Sequence, residues 1–536
     1  MTEENKPKLF SAYRVLPEKK EGISDNLHAY LIESTASTNI EIADTSDDSK
    51  YKGKLIHLKA DGDGGVIDEI ASALCNSKNP NLLISVHGFN NPRDVILPGF
   101  WKSFECVNND KYISNQDIVC IGYRWPSEKI LSPLNTIFEA SPISLVWLFK
   151  AGIIFLFVLS ITLASAWYEN SRGILDHNAT MLIGTADTLV AILATLIFLA
   201  IPVTLFLLRI AVYFRDGYRA TSFGVPDLVE IIRQIDKKLV ERRSRFWSFW
   251  AGAPPNRVQL SFIAHSMGGY VVTSVVRILS DVFDLASVRE GLNSTQLSGD
   301  VRGPKELSKI GHAFCLKRLV LVSPDIPAEA LISNRANFLS SSLSRFEEAF
   351  LFSNEGDEVL RQISTTANYF SFPTKSSSFG YRLGNVCLLG LQYGINIEKF
   401  SQSYLQIGMM TLSEINKSIE KDTGRKDLAR LFTYFDCTDC VDIDTRNGKT
   451  RGMLTLAKPG VFKKMRSYDH FWLLLRYLRF RCPDVHGGYF DSKFLRLLIY
   501  RLVCIGYKDT VKAYAAEGDT LDKQCKDHQV RVLLKS

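Results

Sequence analysis

The sequence has no dense or regular cysteine pattern. Ten cysteines are scattered through 536 residues, which argues against a disulfide-built scaffold and fits a reducing compartment. The one close pair, Cys437 and Cys440 in FDCTDC, has no further ligands at short spacing and so makes no zinc site. Asp436, Asp439 and Asp442 crowd it, which disfavours an electropositive redox pair. Both thiols are read as structural, and no metal and no cofactor is expected. There is no basic arm or stripe either. The net charge of +7 is small for this length and scattered, so no nucleic-acid partner is expected. The opening residues have no apolar core of the signal-peptide kind. Residues 1–20 are expected to be a flexible tail, and 511–536 a charged one.

What the sequence has is apolar material, 46% of the chain, enough for a sizeable core. Two runs stand out. Residues 151–168 and 188–208 carry no charged side chain, and about 20 apolar residues match the thickness of a bilayer core. They predict a membrane hairpin over 144–212. Lys129, Lys150, Arg209, Arg215 and Arg219 flank it, and the polar link between the runs holds one arginine, Arg172. By the positive-inside tendency, the flanks and both termini are expected in the cytoplasm, giving an integral membrane protein with two spans. Asn178 begins a glycosylation sequon by spelling.

Outside the hairpin, short apolar runs alternate with helical patterns. Strands are expected at 82–86, 118–122, 258–263, 319–322 and 350–352, with 440–443 as a last one. Leu228, Ile231, Ile232, Ile235 and Leu239 fall on one face of a helix. This alternation predicts an α/β domain, a mostly parallel sheet flanked by helices and interrupted by two transmembrane helices, in parts 21–143 and 213–510. Active groups should collect at the carboxyl ends of the strands.

One such end reads Ala264-His265-Ser266-Met267-Gly268. A nucleophile elbow needs small residues around its serine, because the backbone turns sharply from strand to helix. Ser266 is therefore the candidate nucleophile. Oxyanion donors are expected from the backbone N–H groups of Met267 and of Phe89, in the loop His87-Gly88-Phe89. His87 is read as shaping that loop, and His265 is hard to aim back at Ser266. The base should come late in the chain, which leaves His486 or His470, with His528 in the charged tail. The acid should follow a strand, which leaves Asp357 or Asp325; Glu355 and Glu358 suit a solvated loop.

VHGFNN, YRWPSE, LSFIAHSMGGYVV, LVSPDIP, SNEGDEVL, YRLG and HGGYF, in that order, resemble the alpha/beta-hydrolase family of unknown specificity called DUF900. The likeness covers roughly residues 80–126 and 213–505. It implies an alpha/beta-hydrolase fold with Ser266 in the nucleophile place, Asp357 in the acid place and His486 in the histidine place. It supplies no substrate, and the family's soluble members lack the hairpin. The expected function is a membrane-anchored serine hydrolase, cleaving a carboxylic ester, of a lipid or another acyl compound, through an acyl-enzyme. Its expected partners are that ester or lipid substrate and membrane lipids. The alternative is a catalytically silent membrane scaffold or interaction protein of the same fold.

Overall fold

The computed structural model describes residues 10–16, 27–36, 54–59, 64–114, 116–127, 210–247, 257–283, 313–327, 345–367, 382–386, 431–444 and 484–533, with shorter pieces at 309–310, 342–343, 449–452, 454, 468–469 and 472–473 and single positions between 154 and 171. In chain order its strands and longer helices are β1 (Phe10–Val15), β2 (His28–Ser34), β3 (Leu55–Leu58), α1 (Val66–Asn76), β4 (Asn81–Val86), α2 (Arg93–Asn109), β5 (Ile118–Arg124), α3 (Val225–Trp247), β6 (Val258–His265), α4 (Gly268–Phe283), β7 (Lys309–Ile310), β8 (Phe314–Val322), β9 (Glu348–Ser353), β10 (Phe432–Asp436), β11 (Val441–Asp444), β12 (Lys449–Gly452), α5 (Lys493–Ala516), α6 (Leu521–Asp527) and β13 (Arg531–Leu533).

Eleven strands form one sheet in the order β13-β10-β9-β8-β6-β4-β5-β2-β1-β3, with β7 paired to β8. From β2 to β10 all neighbours are parallel. At one edge β1 runs antiparallel to β2 and β3, at the other β13 runs antiparallel to β10, and β7 is antiparallel to β8. The sheet is thus mixed, which corrects the expected mostly parallel one. The central strands β4, β5, β6 and β8 are buried almost throughout and read as largely apolar runs. The stretch expected as part of an N-terminal tail contains β1, and the expected C-terminal tail contains α6 and β13. CVDI is not the last main-sheet strand. Val441–Asp444 pairs with β12 in a separate ribbon, and the last parallel strand is β10.

Helices cover both faces. On one, α1, α3 and α4 pack side by side; Leu228, Ile231, Ile232, Ile235 and Leu239 of α3 are buried, as their spacing predicts. On the other, α2 and α5 pack over Leu83, Cys120, Ile263, Val320, Phe350 and Phe435 of the sheet.

The expected transmembrane helices are corrected. Residues 188–208 and most of 151–168 lie outside the described residues, as does the sequon at Asn178. Among the described residues no helix is long and apolar enough to cross a membrane. The longest, α3 and α5, carry charged side chains along their length, as VPDLVEIIRQIDKKLVERRSRFW shows for α3. A span needs about 20 apolar residues in one continuous helix, and an apolar run alone does not supply that. The hairpin, the two-span topology, the cytoplasmic placement drawn from it and membrane lipids as a partner are withdrawn.

Two compact units divide the chain: Met1–Glu128 with Asp216–Ser536, and Lys129–Arg215. The sheet belongs to the first.

Candidate active site

Strand β4 has β5 on one side and β6 on the other, so the strand order reverses there. In open α/β sheets the crevice at the carboxyl ends beside such a reversal is where ligands bind. Ser266 follows the last residue of β6 at this point. Its φ is +53°, a left-handed conformation that costs a non-glycine residue roughly 1–3 kcal/mol unless its surroundings enforce it. They do. The Ser266 N–H donates to Val322 O at 3.0 Å, and its carbonyl accepts from Gly269 and Asp325 N–H, both at 3.0 Å. Two glycines make the turn possible. A Cβ on Gly268 would lie 2.6 Å from His87 O and 2.7 Å from Val86 O, both backbone atoms. A Cβ on Gly88 would lie 2.7 Å from Ser266 Cβ and 3.3 Å from its Oγ. The His87-Gly88-Phe89 loop therefore rests against the serine.

His486 Nδ1 lies 2.6 Å from Asp357 Oδ2. The carboxylate can only accept, so Nδ1 carries the proton and Nε2 presents its lone pair. Three donors fix Asp357: this Nδ1–H, the Ser323 hydroxyl on the same oxygen at 2.5 Å, and Leu360 N–H on Oδ1 at 3.0 Å. Burial disfavours the protonated His486 ring, but the charge and hydrogen bond of Asp357, with the charges of Asp484 and Asp325, outweigh it and raise its pKa above the ordinary value. His486 Nε2 and Ser266 Oγ are both buried and have no hydrogen-bond partner among the described residues. Two rings near the serine reach the histidine: His265, which precedes the serine, packs tilted at 4.8 Å between ring centroids, and Phe89, beyond Gly88, approaches at 6.4 Å. Met267 follows the serine and enters the helical register of α4, its carbonyl accepting Val271 N–H at 3.2 Å.

Other sequence candidates are engaged elsewhere. Asp325 pairs with Arg382 at 3.1 Å and accepts from Ser364 Oγ at 3.1 Å. His87 stacks on Trp125 at 5.2 Å with its Nδ1 on Gly88 O; burial and the Arg124 charge push its pKa down to about 3. His528 stacks on Phe494 and bonds Gln524 O, closing α6. Glu355 and Glu358 are buried, not solvated. His470 lies outside the described residues. Cys437 and Cys440 are free and buried, and burial raises both thiols far above the ordinary range.

Several residues that shape the site escaped the sequence reading. Ser323, at φ +43°, ends β8 and bonds the acid. Asn354 holds the histidine turn by donating Nδ2–H to Val485 O at 2.8 Å. Asp484 caps that turn, accepting from His486 and Gly487 N–H at 3.1 and 2.7 Å. Asp216 accepts from Ser127 Oγ at 2.7 Å and Asn90 N–H at 2.8 Å, tying the WPS turn to the HGFNN loop. The SNEGD and SPD signatures marked the neighbourhoods of Asn354 and Ser323. Nothing in the sequence marked Asp216.

Together these groups form a triad-like cluster: a buried acid–histidine pair, a serine hydroxyl bonded to the acid, and a second serine at a strand-to-helix turn whose preceding residue, His265, packs on the histidine. No family model, curated protein or solved structure matches the chain.

Proposed function

We propose that the protein is a serine hydrolase that cleaves a carboxylic ester or related acyl compound at Ser266. The observation that carries this reading is the His486–Asp357 contact of 2.6 Å, with a buried Nε2 that has no partner among the described residues and a serine held at φ +53° next to His265, whose ring packs on His486. The order of serine, acid and histidine in the chain, and the likeness of HSMGG and HGFNN to the alpha/beta-hydrolase family, support it.

His486 Nε2 takes the proton of the Ser266 hydroxyl as Oγ attacks the substrate carbonyl. The carbonyl electrons move to oxygen, and the N–H groups of Met267 and Phe89 are assigned to hold that oxyanion. The intermediate collapses, the bond to the leaving alkoxide breaks, and His486 gives the alkoxide its proton. Water then repeats the sequence on the acyl-serine, releasing the acid and restoring the hydroxyl. Ser323 is not assigned as nucleophile. Its hydroxyl donates to Asp357 Oδ2, the oxygen already holding His486 Nδ1, so it meets the acid and not the bare nitrogen.

A fluorophosphonate probe tests this reading. The native chain should label, Ser266→Ala and His486→Ala should not, and Ser323→Ala should still label. Labelling that survives Ser266→Ala, or vanishes in Ser323→Ala with the fold intact, would overturn the assignment.

A further inference from the structure

His265 precedes the serine in the chain, yet one of its ring nitrogens is engaged with another turn. Its Nε2 lies 2.9 Å from the backbone carbonyl of His486 itself. A carbonyl can only accept, so Nε2 carries the hydrogen of this neutral ring and Nδ1 is bare. The ring is enclosed on several sides. His486 packs at 4.8 Å between centroids, Phe490 meets it edge-on at 5.6 Å, and a Cβ on Gly88 would lie 3.1 Å from Nδ1.

Three side chains grip the turn that carries His486. Asp484 caps it from within, Asn354 reaches it from the loop after β9, and His265 reaches it from β6. The first grip is internal to the turn. The second ties it to the loop of Asp357. Only His265 belongs to the strand that also sets Ser266. We propose that His265 is a positioning residue, whose Nε2–H to His486 carbonyl bond sets the spacing between the Ser266 hydroxyl and the base. The proposal rests on the serine-hydrolase reading above. Its role differs from that of the base. His265 exchanges no proton with the substrate, and its work is to keep one geometry through both halves of the cycle. Burial and the neighbouring His486 push its pKa down to about 4, so it stays neutral while His486 gains and loses its proton.

Reactive groups misplaced by about 1 Å lose on the order of 10²-fold in rate. Three substitutions separate positioning from packing. His265→Leu fills the space but has no donor, His265→Ala removes both, and His265→Gln offers an amide N–H at a similar reach. With p-nitrophenyl acetate and the full chain, His265→Leu should lose about 30- to 100-fold in kcat with KM changed less than about threefold. His265→Gln should recover about tenfold of that loss. A His265→Leu variant with native kcat would overturn the proposal, as would a His265→Gln variant no better than His265→Leu. Nitrogen-15 NMR of the histidines gives a readout that needs no turnover. The native Nδ1–H of His486, held by Asp357, should give a sharp downfield proton signal. That signal should persist in His265→Gln and broaden or vanish in His265→Leu. If the native chain neither labels nor turns over ester, the hydrolase reading fails. The NMR comparison still decides the grip itself, and identical spectra in all variants would remove it.

Discussion

The Asp357 carboxylate receives three donors, and the one on His486 decides when that ring can act. In its proposed role as base the imidazole must be neutral. Its pKa is raised above the ordinary 6.5, so kcat/KM for a soluble ester should rise with pH along a limb centred above that value. Asp357→Asn removes the charge that outweighs burial, and the limb should move to lower pH. The amide can also present its N–H to Nδ1, which favours the wrong tautomer, so the plateau should fall about 10³- to 10⁴-fold. A pH–rate profile of the two proteins checks both effects. The linkage has the opposite sign for stability. A raised pKa means the protonated ring favours the folded state below the unfolded pKa, and that contribution is lost as pH rises through the folded value. Catalysis and the stabilising charge of this ring thus favour opposite ends of the pH scale.

At the scale of elements, the junction of β6 and α4 depends on close approach. A methyl on Gly268 meets two backbone carbonyls of the β4 end, which cannot swing aside as a side chain could. Gly268→Ala should cost about 1–3 kcal/mol, by analogy with other overpacked sites. Gly99→Ala is the control: Gly99 lies inside α2, and a Cβ there meets nothing within 4 Å. Urea midpoints should fall for the first and hold or rise for the second. The central elements were legible because their chemistry is local. Strands β4, β5, β6, β8 and β9 are largely buried and read as apolar runs, and the sharp turn after β6 shows in the small residues of AHSMG. The edge strands were not legible. FSAYRV and LIHL mix polar and apolar residues over a few positions, and their pairing is decided by partners elsewhere in the chain. The place of His265 before the serine says nothing of its bond to a carbonyl 221 residues away. Spacing along a sequence carries no information about such a contact. The same holds for Ser323, whose acid lies 34 positions on. The apolar runs at 151–168 and 188–208 lie for the most part outside the described residues, among which no helix is long and apolar enough to cross a membrane.

At the scale of the whole molecule, every residue assigned to the site belongs to the unit of Met1–Glu128 and Asp216–Ser536. The chain leaves that unit just after Ser127 and re-enters it at Asp216, and these two residues share a hydrogen bond of 2.7 Å. Exit and entry are therefore adjacent, and a short linker can bridge them. Replacing Lys129–Arg215 with a Gly/Ser linker should leave fluorophosphonate labelling within about threefold of native, since loop length changes closure entropy only slowly. Loss of labelling in that protein, with Ser127 and Asp216 retained, would show that the second unit is needed for the site.

The sheet order divides the chain at the same place. Strands β1 to β5 fill one side of the sheet, β6 onward fills the other, and the two sides meet along β4 and β6. Gly88 and Phe89 come from the early side, and Ser266, Asp357 and His486 from the late side. On the ribosome, the early strands emerge and can pair long before the serine is made. Half of the proposed site is thus built in advance and without its proposed nucleophile, and the last piece to arrive is the proposed base, delivered with the turn that His265 receives. On the proposed reading, a chain halted between the serine and that turn holds a serine with nothing to activate it.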